Sequence, residues 1–291
     1  MLRLVPKYVS LVFEANFGSL LQTAQLLEAL HANDTTTSAS IPSGLVLAND
    51  SDNKRTHLLI HQSARLPSPA LMVTNLDASN YPSIRVPITP QNGLTYLGQL
   101  LFDRILCDVP CSGDGTIRKN MGIWKSWQPM DGNGLHGYVN ANPSGIIIVA
   151  NRLIFHSLQV RILQRAMNTL TADGRIVYST CSLNPVENEA VIAEALMLTR
   201  GIFDLVLIRR MWLIFYRVLG FELVDVSSKL PELKRRPGLA DWRPTTDRSG
   251  AKTYESYEEF MSSSVDEAIK GKMTEGHWPP RDVETLNLSR W

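Results

Sequence analysis

Two cysteines of this chain stand in settings that suit nucleophilic chemistry. Cys111 lies in the run Asp108-Val-Pro-Cys-Ser-Gly-Asp-Gly-Thr116, and Cys181 lies in Val177-Tyr-Ser-Thr-Cys-Ser-Leu183. Each follows an apolar run that predicts a β-strand. Open α/β sheets bind their ligands outside the carboxyl ends of the strands, so this position favours chemistry over packing. A thiol is a strong nucleophile even when mostly protonated, and a modest fall in its pKa increases the reactive fraction.

Three acidic residues share this kind of placement. Asp50, Asp77 and Asp108 each follow an apolar strand pattern by a residue or two, so three carboxylates are expected along one edge of a sheet. In nucleotide-binding α/β folds, carboxylates at that edge accept hydrogen bonds from ribose hydroxyls or meet the base. The alternative is an ordinary strand-end aspartate that caps the next helix.

The third cysteine, Cys107, has a different expected role. Strand alternation turns it to the face opposite Asp108, where it packs as a small hydrophobe. A metal site formed by Cys107, Cys111 and Cys181 with His136 is a weak alternative, because two cysteines with three residues between them and no second pair make a poor zinc pattern. We therefore predict no metal.

The predicted elements alternate between strand and helix. Strands are predicted at residues 44–49, 71–75, 103–108 and 174–179, and helices at 20–32, 52–66, 158–170 and 187–199. Residues 81–96 read as a looser connection, and residues 254–269 as an amphipathic helix. Strands that alternate with helices predict parallel βαβ units and an α/β fold class.

Composition sets limits on partners and compartment. The chain has 291 residues, 44% of them hydrophobic, with 29 Lys and Arg against 28 Asp and Glu. A nucleic acid must then be held by local basic clusters rather than by bulk charge. Three cysteines without a disulfide spacing indicate a reducing compartment, so we expect the nucleus, with the cytoplasm as the alternative. The first residues lack a signal-peptide pattern, and no membrane partner is expected.

A mixed basic and aromatic cluster follows the first cysteine motif. Arg118, Lys119 and Lys125 are interleaved with Trp124 and Trp127. Cations bind phosphates and aromatic rings stack on unpaired bases, so the cluster is typical of single-stranded nucleic-acid binding. The alternative is a solvated helix face with two semi-buried tryptophans.

These motifs together resemble the RNA cytosine-C5 methyltransferases of the NOP/Sun family, above all the eukaryotic tRNA branch. The stretches that carry the resemblance are residues 47–55, 75–79, 108–120, 178–191 and 230–239. The resemblance implies a Rossmann-like fold with a mostly parallel sheet, S-adenosylmethionine as cofactor, and RNA, in particular tRNA, as substrate. It also implies a monomer.

The resemblance also implies a covalent mechanism. Cys181 would add to C6 of a target cytosine, after which C5 becomes nucleophilic and accepts the methyl group. Asp108 would hold or protonate N3, and Cys111 would help remove the C5 proton so that the adduct can eliminate. Asp50 would hold the ribose of the cofactor and Asp77 its adenine end, with Asp108 near both cofactor and base.

The domain pattern departs from the family in several places. We expect a catalytic domain at residues 1–200 that lacks the N-terminal RNA-binding region of relatives, and a C-terminal segment at 220–291. Residues 138–157 and 201–219 read as atypical inserts that must loop out at the surface.

In the stretch 12–22 bulky Phe17, Leu20 and Leu21 occupy a cofactor loop that needs small residues. That loop favours the alternative function, a non-catalytic RNA-binding remnant. The reading as a DNA cytosine methyltransferase has little support, because that class of enzyme lacks the Ser-Thr-Cys-Ser element that this chain contains.

Overall fold

The chain is divided into two compact units. A computed structural model describes residues 8–14, 19–32, 44–66, 68–89, 93–136, 158–208, 220–226, 228–229, 231–232, 234–281 and 286–288. The first unit, here the sheet unit, comprises Met1–Pro110 and Arg161–Ser179. The second, here the thiol unit because it contains Cys111 and Cys181, comprises Cys111–Val160 and Thr180–Trp291.

Every strand of the described chain belongs to the sheet unit. In chain order the strands are β1 (Tyr8–Glu14), β2 (Gly44–Asp50), β3 (Leu71–Thr74), β4 (Arg85–Ile88), β5 (Tyr96–Gln99), β6 (Phe102–Asp108) and β7 (Leu170–Ser179). Five of them form one sheet in the order β3-β2-β1-β6-β7, and all its neighbouring pairs are parallel. The predicted α/β class with a mostly parallel sheet is confirmed.

Helices connect several of the strands and are the regular elements of the thiol unit. Those described are α1 (Ser19–His31), α2 (Asn53–Ser63), α3 (Ile123–Ser126), α4 (Asp131–His136), α5 (Leu158–Thr169), α6 (Glu189–Ile208), α7 (Tyr257–Ser262) and α8 (Glu267–Lys270). Among them, none combines the length and the apolar character needed to span a bilayer.

The central strand β1 is apolar on both faces. Val12 packs with Leu27 of α1 and Val46 of β2. Its neighbour Phe13 points the other way and meets the Tyr81 ring edge-on, with the ring centroids 5.3 Å apart. A strand covered on both faces needs a continuous apolar run, which is why the sequence of parallel strands does not alternate.

Most predicted boundaries in the sheet unit agree with the structure to within one residue, two do not, and the strand β1 was not predicted. α2 ends at Ser63 rather than at residue 66, and its N-cap is Asp52, which accepts the Arg55 N–H. β7 begins at Leu170 rather than at residue 174, because Leu170 leaves the helix to pair with Phe102 across a register shift.

The stretch predicted as a loose connection is a hairpin. β4 and β5 pair antiparallel as a separate two-stranded sheet, with Ile88 opposite Tyr96. Pro87 lies inside β4. Proline argues against a central strand but is tolerated at an edge, which explains why the sequence pattern hid this element.

The C-terminal half of the thiol unit has its own aromatic core. Tyr254, Phe260, Met273 and Trp278 are buried together. The single helix predicted for residues 254–269 is wrong: Ser256 caps α7, and Ser263 is extended and ends it. α8 then starts separately after its own cap, Asp266.

Three predicted features fall wholly or partly outside the described residues. The first insert, 138–157, lies entirely outside them, as do residues 15–18 of the cofactor loop. Of the second insert, residues 201–208 continue α6, which therefore runs past the predicted end at residue 199. Residues 209–219 lie outside the description.

Candidate active site

The carboxyl edge of the parallel sheet carries a buried carboxylate at Asp50. It ends β2 and is 1% exposed. Its Oδ1 accepts hydrogen bonds from the Asp52 N–H at 2.7 Å and the Arg55 guanidinium at 2.8 Å. Its Oδ2 is buried and meets no hydrogen-bond donor among the described residues. A buried carboxylate oxygen without a donor is costly, so this atom is a ready acceptor for a ligand hydroxyl.

Asp77 has a local structural role. It accepts the Ser79 N–H at 2.8 Å and the Asn80 amide at 3.1 Å, and it caps the turn Ala78–Asn80. Burial alone would raise its pKa, but the hydrogen bonds from Ser79 and Asn80 outweigh burial and hold the pKa of Asp77 below its usual value. The capping alternative therefore describes Asp77 in this structure, whereas α2 is capped by Asp52 and not by Asp50. A role at the adenine end of a cofactor stays a prediction.

Asp108 ends β6 and is 8% exposed. Ser179, its register partner at the end of β7, donates a hydrogen bond to Oδ1 at 3.4 Å. The preceding residue, Cys107, is fully buried, and this burial raises the pKa of its thiol well above the ordinary value. The prediction that Cys107 packs in the core is confirmed.

The thiol unit brings Cys111 and Cys181 together. Their Sγ atoms are 3.0 Å apart although the residues are separated by 70 positions. The Cys181 N–H donates to Cys111 Sγ at 3.2 Å. Both side chains are half-buried and neither is in a disulfide. Two thiols in contact, each with an accessible portion, can share one reaction centre.

The two thiols are not chemically equivalent. The pKa of Cys111 is raised strongly, first by its hydrogen bond with Cys181, then by burial and by the nearby charge of Cys181. Two adjacent thiolates would repel each other, so one proton stays in the pair. The two thiols therefore titrate as a pair, in which the contact with Cys181 raises the pKa of Cys111.

A glycine loop packs directly on the Cys181 backbone. The Gly115 N–H donates to the Cys181 carbonyl at 2.9 Å, and a Cβ atom at Gly115 would lie 2.8 Å from that carbonyl oxygen. Gly113 has a φ of 77°, in the left-handed region. Asp114 Oδ1 accepts the Leu183 N–H at 2.8 Å. These contacts join the loops that carry the two cysteines.

Glu187 is a buried residue of the thiol unit that sequence reasoning missed. It is fully buried, and its carboxylate accepts hydrogen bonds from Ser112 and Ser182, the residues that directly follow the two cysteines. The signal was its place in the Cys181 motif, where we predicted it as the first residue of a helix. The helix α6 in fact begins later, at Glu189, so Glu187 belongs to the loop.

The basic cluster is at the surface of the thiol unit. Arg118, Lys119 and Lys125 are exposed, and Trp124 in α3 is 72% exposed. Trp127 is half-buried. The expectation of two semi-buried tryptophans therefore fails for Trp124, and an exposed indole among cations fits base stacking better.

The metal alternative finds no support in the part of the chain that the structure describes. Within it, no group of three or more His, Cys, Asp and Glu side chains has an arrangement suited to a metal ion. The side chain of His136 lies outside the described residues.

Comparisons with known proteins point to one family. The family model for the 16S rRNA methyltransferase RsmB/F matches residues 32–137 and 150–206. A multisite-specific tRNA (cytosine-C5)-methyltransferase of Schizosaccharomyces pombe is 40% identical over 97% of this chain and 36% of its own length. The corresponding Saccharomyces cerevisiae enzyme is 43% identical over 86% of this chain and 30% of its own length.

Among solved structures the similarity is partial. The match to the structure of NSun6 from Pyrococcus horikoshii extends over 68% of this chain and 39% of the NSun6 chain, with a TM-score of 0.44 and 20% identity. The chain spans about a third of the length of the curated relatives named above. The family model covers more than half of the chain, so the chain belongs to the RsmB/F (NOP/Sun) family of methyltransferases.

Proposed function

We propose that this chain is the catalytic part of an S-adenosylmethionine-dependent methyltransferase that methylates C5 of cytosine in RNA, and that its substrate is tRNA. The observation that carries the proposal is the contact between Cys111 and Cys181, with Sγ atoms 3.0 Å apart. The relatives from both yeasts, whose names specify tRNA cytosine C5, support the substrate class. In this proposal residues 1–200 hold the catalytic machinery.

Cys181 is the proposed nucleophile. Its thiolate adds to C6 of the cytosine, forming the Sγ–C6 bond while the π electrons of C5=C6 move to C5 and the ring. Asp108 is the proposed partner for N3, which gains electron density during this addition and is held or protonated by the Asp108 carboxyl group. A thiol suits the step because it adds reversibly and leaves again as a thiolate.

S-adenosylmethionine, when bound, supplies the methyl group that C5 receives. For its site we propose Asp50 at the ribose hydroxyls, Asp77 at the adenine end and Asp108 beside them. The unpartnered buried Oδ2 of Asp50 fits a hydroxyl donor. The position of Asp50 at the end of β2 in a parallel sheet fits this kind of ligand as well.

Cys111 is the proposed base for release. While Cys181 is a thiolate, Cys111 donates to it and keeps its proton. Once the Cys181 sulfur is bonded to C6 it is a neutral thioether, so the main cause that raises the Cys111 pKa is gone. Cys111 can then lose its own proton to solvent and, as a thiolate, take the C5 proton; the C5=C6 bond re-forms, and the Cys181 thiolate leaves. The two thiols thus divide attack and release.

For RNA contact we propose Arg118, Lys119 and Lys125, with Trp124 as a stacking platform. Their exposure on the thiol unit supports this assignment. The target cytosine must be unstacked, so a loop or a flipped base is required. The three free cysteines suit a reducing compartment, and we propose a nuclear location for a monomer without bound metal.

The test is methyl transfer to unmodified tRNA transcripts with labelled S-adenosylmethionine. We expect the wild-type chain to label C5 of cytosine, and Cys181→Ala to transfer no methyl. Cys111→Ala should instead accumulate a stable covalent RNA complex, because release fails after methylation. A folded wild-type chain that binds tRNA but neither transfers methyl nor binds S-adenosylhomocysteine would replace this proposal with the RNA-binding remnant.

A further inference from the structure

We propose that Glu187 is a positioning residue for the thiol pair: its carboxylate joins the loop after Cys111 to the loop after Cys181 and so holds the two thiols in contact. The catalytic consequence rests on the proposed function. The positioning itself is a property of the folded chain and can be measured without RNA or cofactor.

The contacts of Glu187 reach both loops. Oε1 accepts the Ser112 N–H at 2.8 Å, and Oε2 accepts the Ser112 hydroxyl at 2.6 Å. Oε2 also accepts the Ser182 hydroxyl at 2.5 Å. The two serine hydroxyls lie 3.3 Å from each other. One carboxylate therefore gathers three donors from two loops that are far apart in the sequence.

The carboxylate of Glu187 is enclosed on its other sides. Gln159 approaches Oε1 at 3.5 Å. Gly132 in α4 is so close that a Cβ atom there would lie 2.9 Å from Glu187 Cγ. A fully buried carboxylate in a close-fitting environment has little freedom to move. Short charge-assisted hydrogen bonds from such a group are stronger than neutral ones.

The chain geometry transmits this restraint to the sulfur atoms. Ser112 and Ser182 directly follow Cys111 and Cys181, so fixing the serines fixes the cysteine backbones next to them. The contact between the two sulfur atoms then follows from the Glu187 carboxylate, which touches neither thiol but is the shared acceptor for the serines that follow them. The negative charge of Glu187 also adds slightly to the raised pKa of Cys111, after the hydrogen bond with Cys181 and burial.

The experiment measures thiol proximity as a disulfide equilibrium. The full chain is equilibrated in glutathione redox buffers, where one oxidised glutathione and the two protein thiols exchange with two reduced glutathiones and a Cys111–Cys181 disulfide. Alkylation and peptide mass spectrometry then give the disulfide fraction. The equilibrium constant has units of concentration and reports how closely the folded chain holds the two thiols.

We expect Glu187→Gln to lower this effective concentration about tenfold, because loss of charge-assisted hydrogen bonds to a buried acceptor loosens both loops. Glu187→Ala should lower it further. The matched control is Glu189→Gln, a buried carboxylate of α6 that accepts the Leu239 N–H at 2.9 Å and does not contact Ser112 or Ser182. We expect the control to retain the wild-type constant even where its melting temperature falls.

A folded Glu187→Gln chain with the wild-type constant would overturn the inference. Should Glu187→Gln fail to fold, Ser182→Ala removes one of the three donors and must lower the constant in the same direction; an unchanged value there overturns the inference equally. Methyl transfer is a separate readout, in which kcat falls with Glu187→Gln and KM for S-adenosylmethionine stays constant. A wild-type chain inactive on tRNA but with the expected thiol equilibria would refute the proposed function and leave the positioning role intact.

Discussion

The two units position reactive groups by different means. In the sheet unit, Asp50 and Asp108 end the strands β2 and β6, so the parallel sheet itself sets their positions. In the thiol unit, Cys111 and Cys181 lie in loops. Cross-loop hydrogen bonds bring them together: Gly115 donates to Cys181, Asp114 accepts from Leu183, and the hydroxyls of Ser112 and Ser182 lie together.

This difference has a physical consequence. A strand end is fixed by many ladder hydrogen bonds and by packing on both faces, so a single substitution at the edge leaves the remaining strand ends in place. A loop contact depends on a few specific acceptors, so one substitution can displace both cysteines. A substitution at a strand end of the sheet unit should therefore remove one contact to a ligand. A substitution in the loops of the thiol unit should displace both Cys111 and Cys181.

The largest expected effect is on cofactor binding. Asp50→Ala should weaken S-adenosylhomocysteine binding by about 10- to 100-fold, since a hydrogen bond to a charged group contributes about 1.5–3 kcal/mol. Asp52→Ala is the matched control, because Asp52 caps α2 but is exposed. It should lose about 1 kcal/mol of stability with an unchanged dissociation constant. Calorimetric titration and thermal unfolding measure the two quantities; equal losses of affinity would contradict the distinction.

The next effect concerns the close approach of the two loops. Gly115→Ala forces a methyl group against the Cys181 carbonyl, where the Cβ would lie at 2.8 Å. We expect destabilisation of about 1–3 kcal/mol, as for overpacked sites, together with a fall in kcat. At Gly122 the nearest atom to a Cβ is Asn120 Oδ1 at 3.3 Å, the end of a flexible side chain. Gly122→Ala should therefore be tolerated in denaturant unfolding, and a similar loss at both positions would refute the assigned contact.

A smaller effect is the pH dependence of thiol alkylation. Because the pKa of Cys111 is raised mainly by its contact with Cys181, Cys111 should react with iodoacetamide only at a pH above that needed by an ordinary cysteine. The thiolate fraction rises with pH, so Cys181→Ala should shift the Cys111 profile toward lower pH. Rates measured by peptide mass spectrometry across the pH range test this. A Cys111 profile that stays the same in Cys181→Ala would contradict the coupling of the two thiols.

The smallest effect is at the exposed basic cluster. Arg118→Ala should weaken tRNA binding modestly and reduce the slope of log affinity against log salt by about 1, as for one lost phosphate contact. Arg85 in the β4–β5 hairpin is exposed as well and provides a matched control with no expected change. Filter binding at several salt concentrations distinguishes the two. Identical slopes for Arg118→Ala and the wild type would remove Arg118 from the RNA surface.

The sequence predicted the sheet unit better than the thiol unit, and the reason is physical. Apolar runs such as the one in β2 arise directly from burial, so the predicted strands and their terminal aspartates could be located from the pattern alone, whereas the strand β1 was not predicted. The hairpin was missed because Pro87 argues against a strand. The pattern placed Asp77 at the carboxyl edge of the sheet. It did not predict that Asp77 caps the turn Ala78–Asn80, because that role depends on the local backbone geometry.

In the thiol unit the motifs identified the cysteines but not what holds them. The contact between Cys111 and Cys181 spans 70 positions, and no local periodicity encodes such a distance. Glu187 was read as the first residue of a helix, whereas its side chain turns back to Ser112 and Ser182. The role of a buried carboxylate in a loop becomes visible only when its donors are known.

The most direct test of the thiol pair uses tRNA transcripts that contain 5-fluorocytidine. Fluorine at C5 cannot leave as a proton does, so elimination stops and the covalent adduct accumulates. With S-adenosylmethionine present, peptide mass spectrometry should locate the nucleotide on Cys181 in the wild-type chain and in Cys111→Ala, with no adduct in Cys181→Ala. An adduct on Cys111, or one that persists in Cys181→Ala, would contradict the assignment of attack and release to the two thiols.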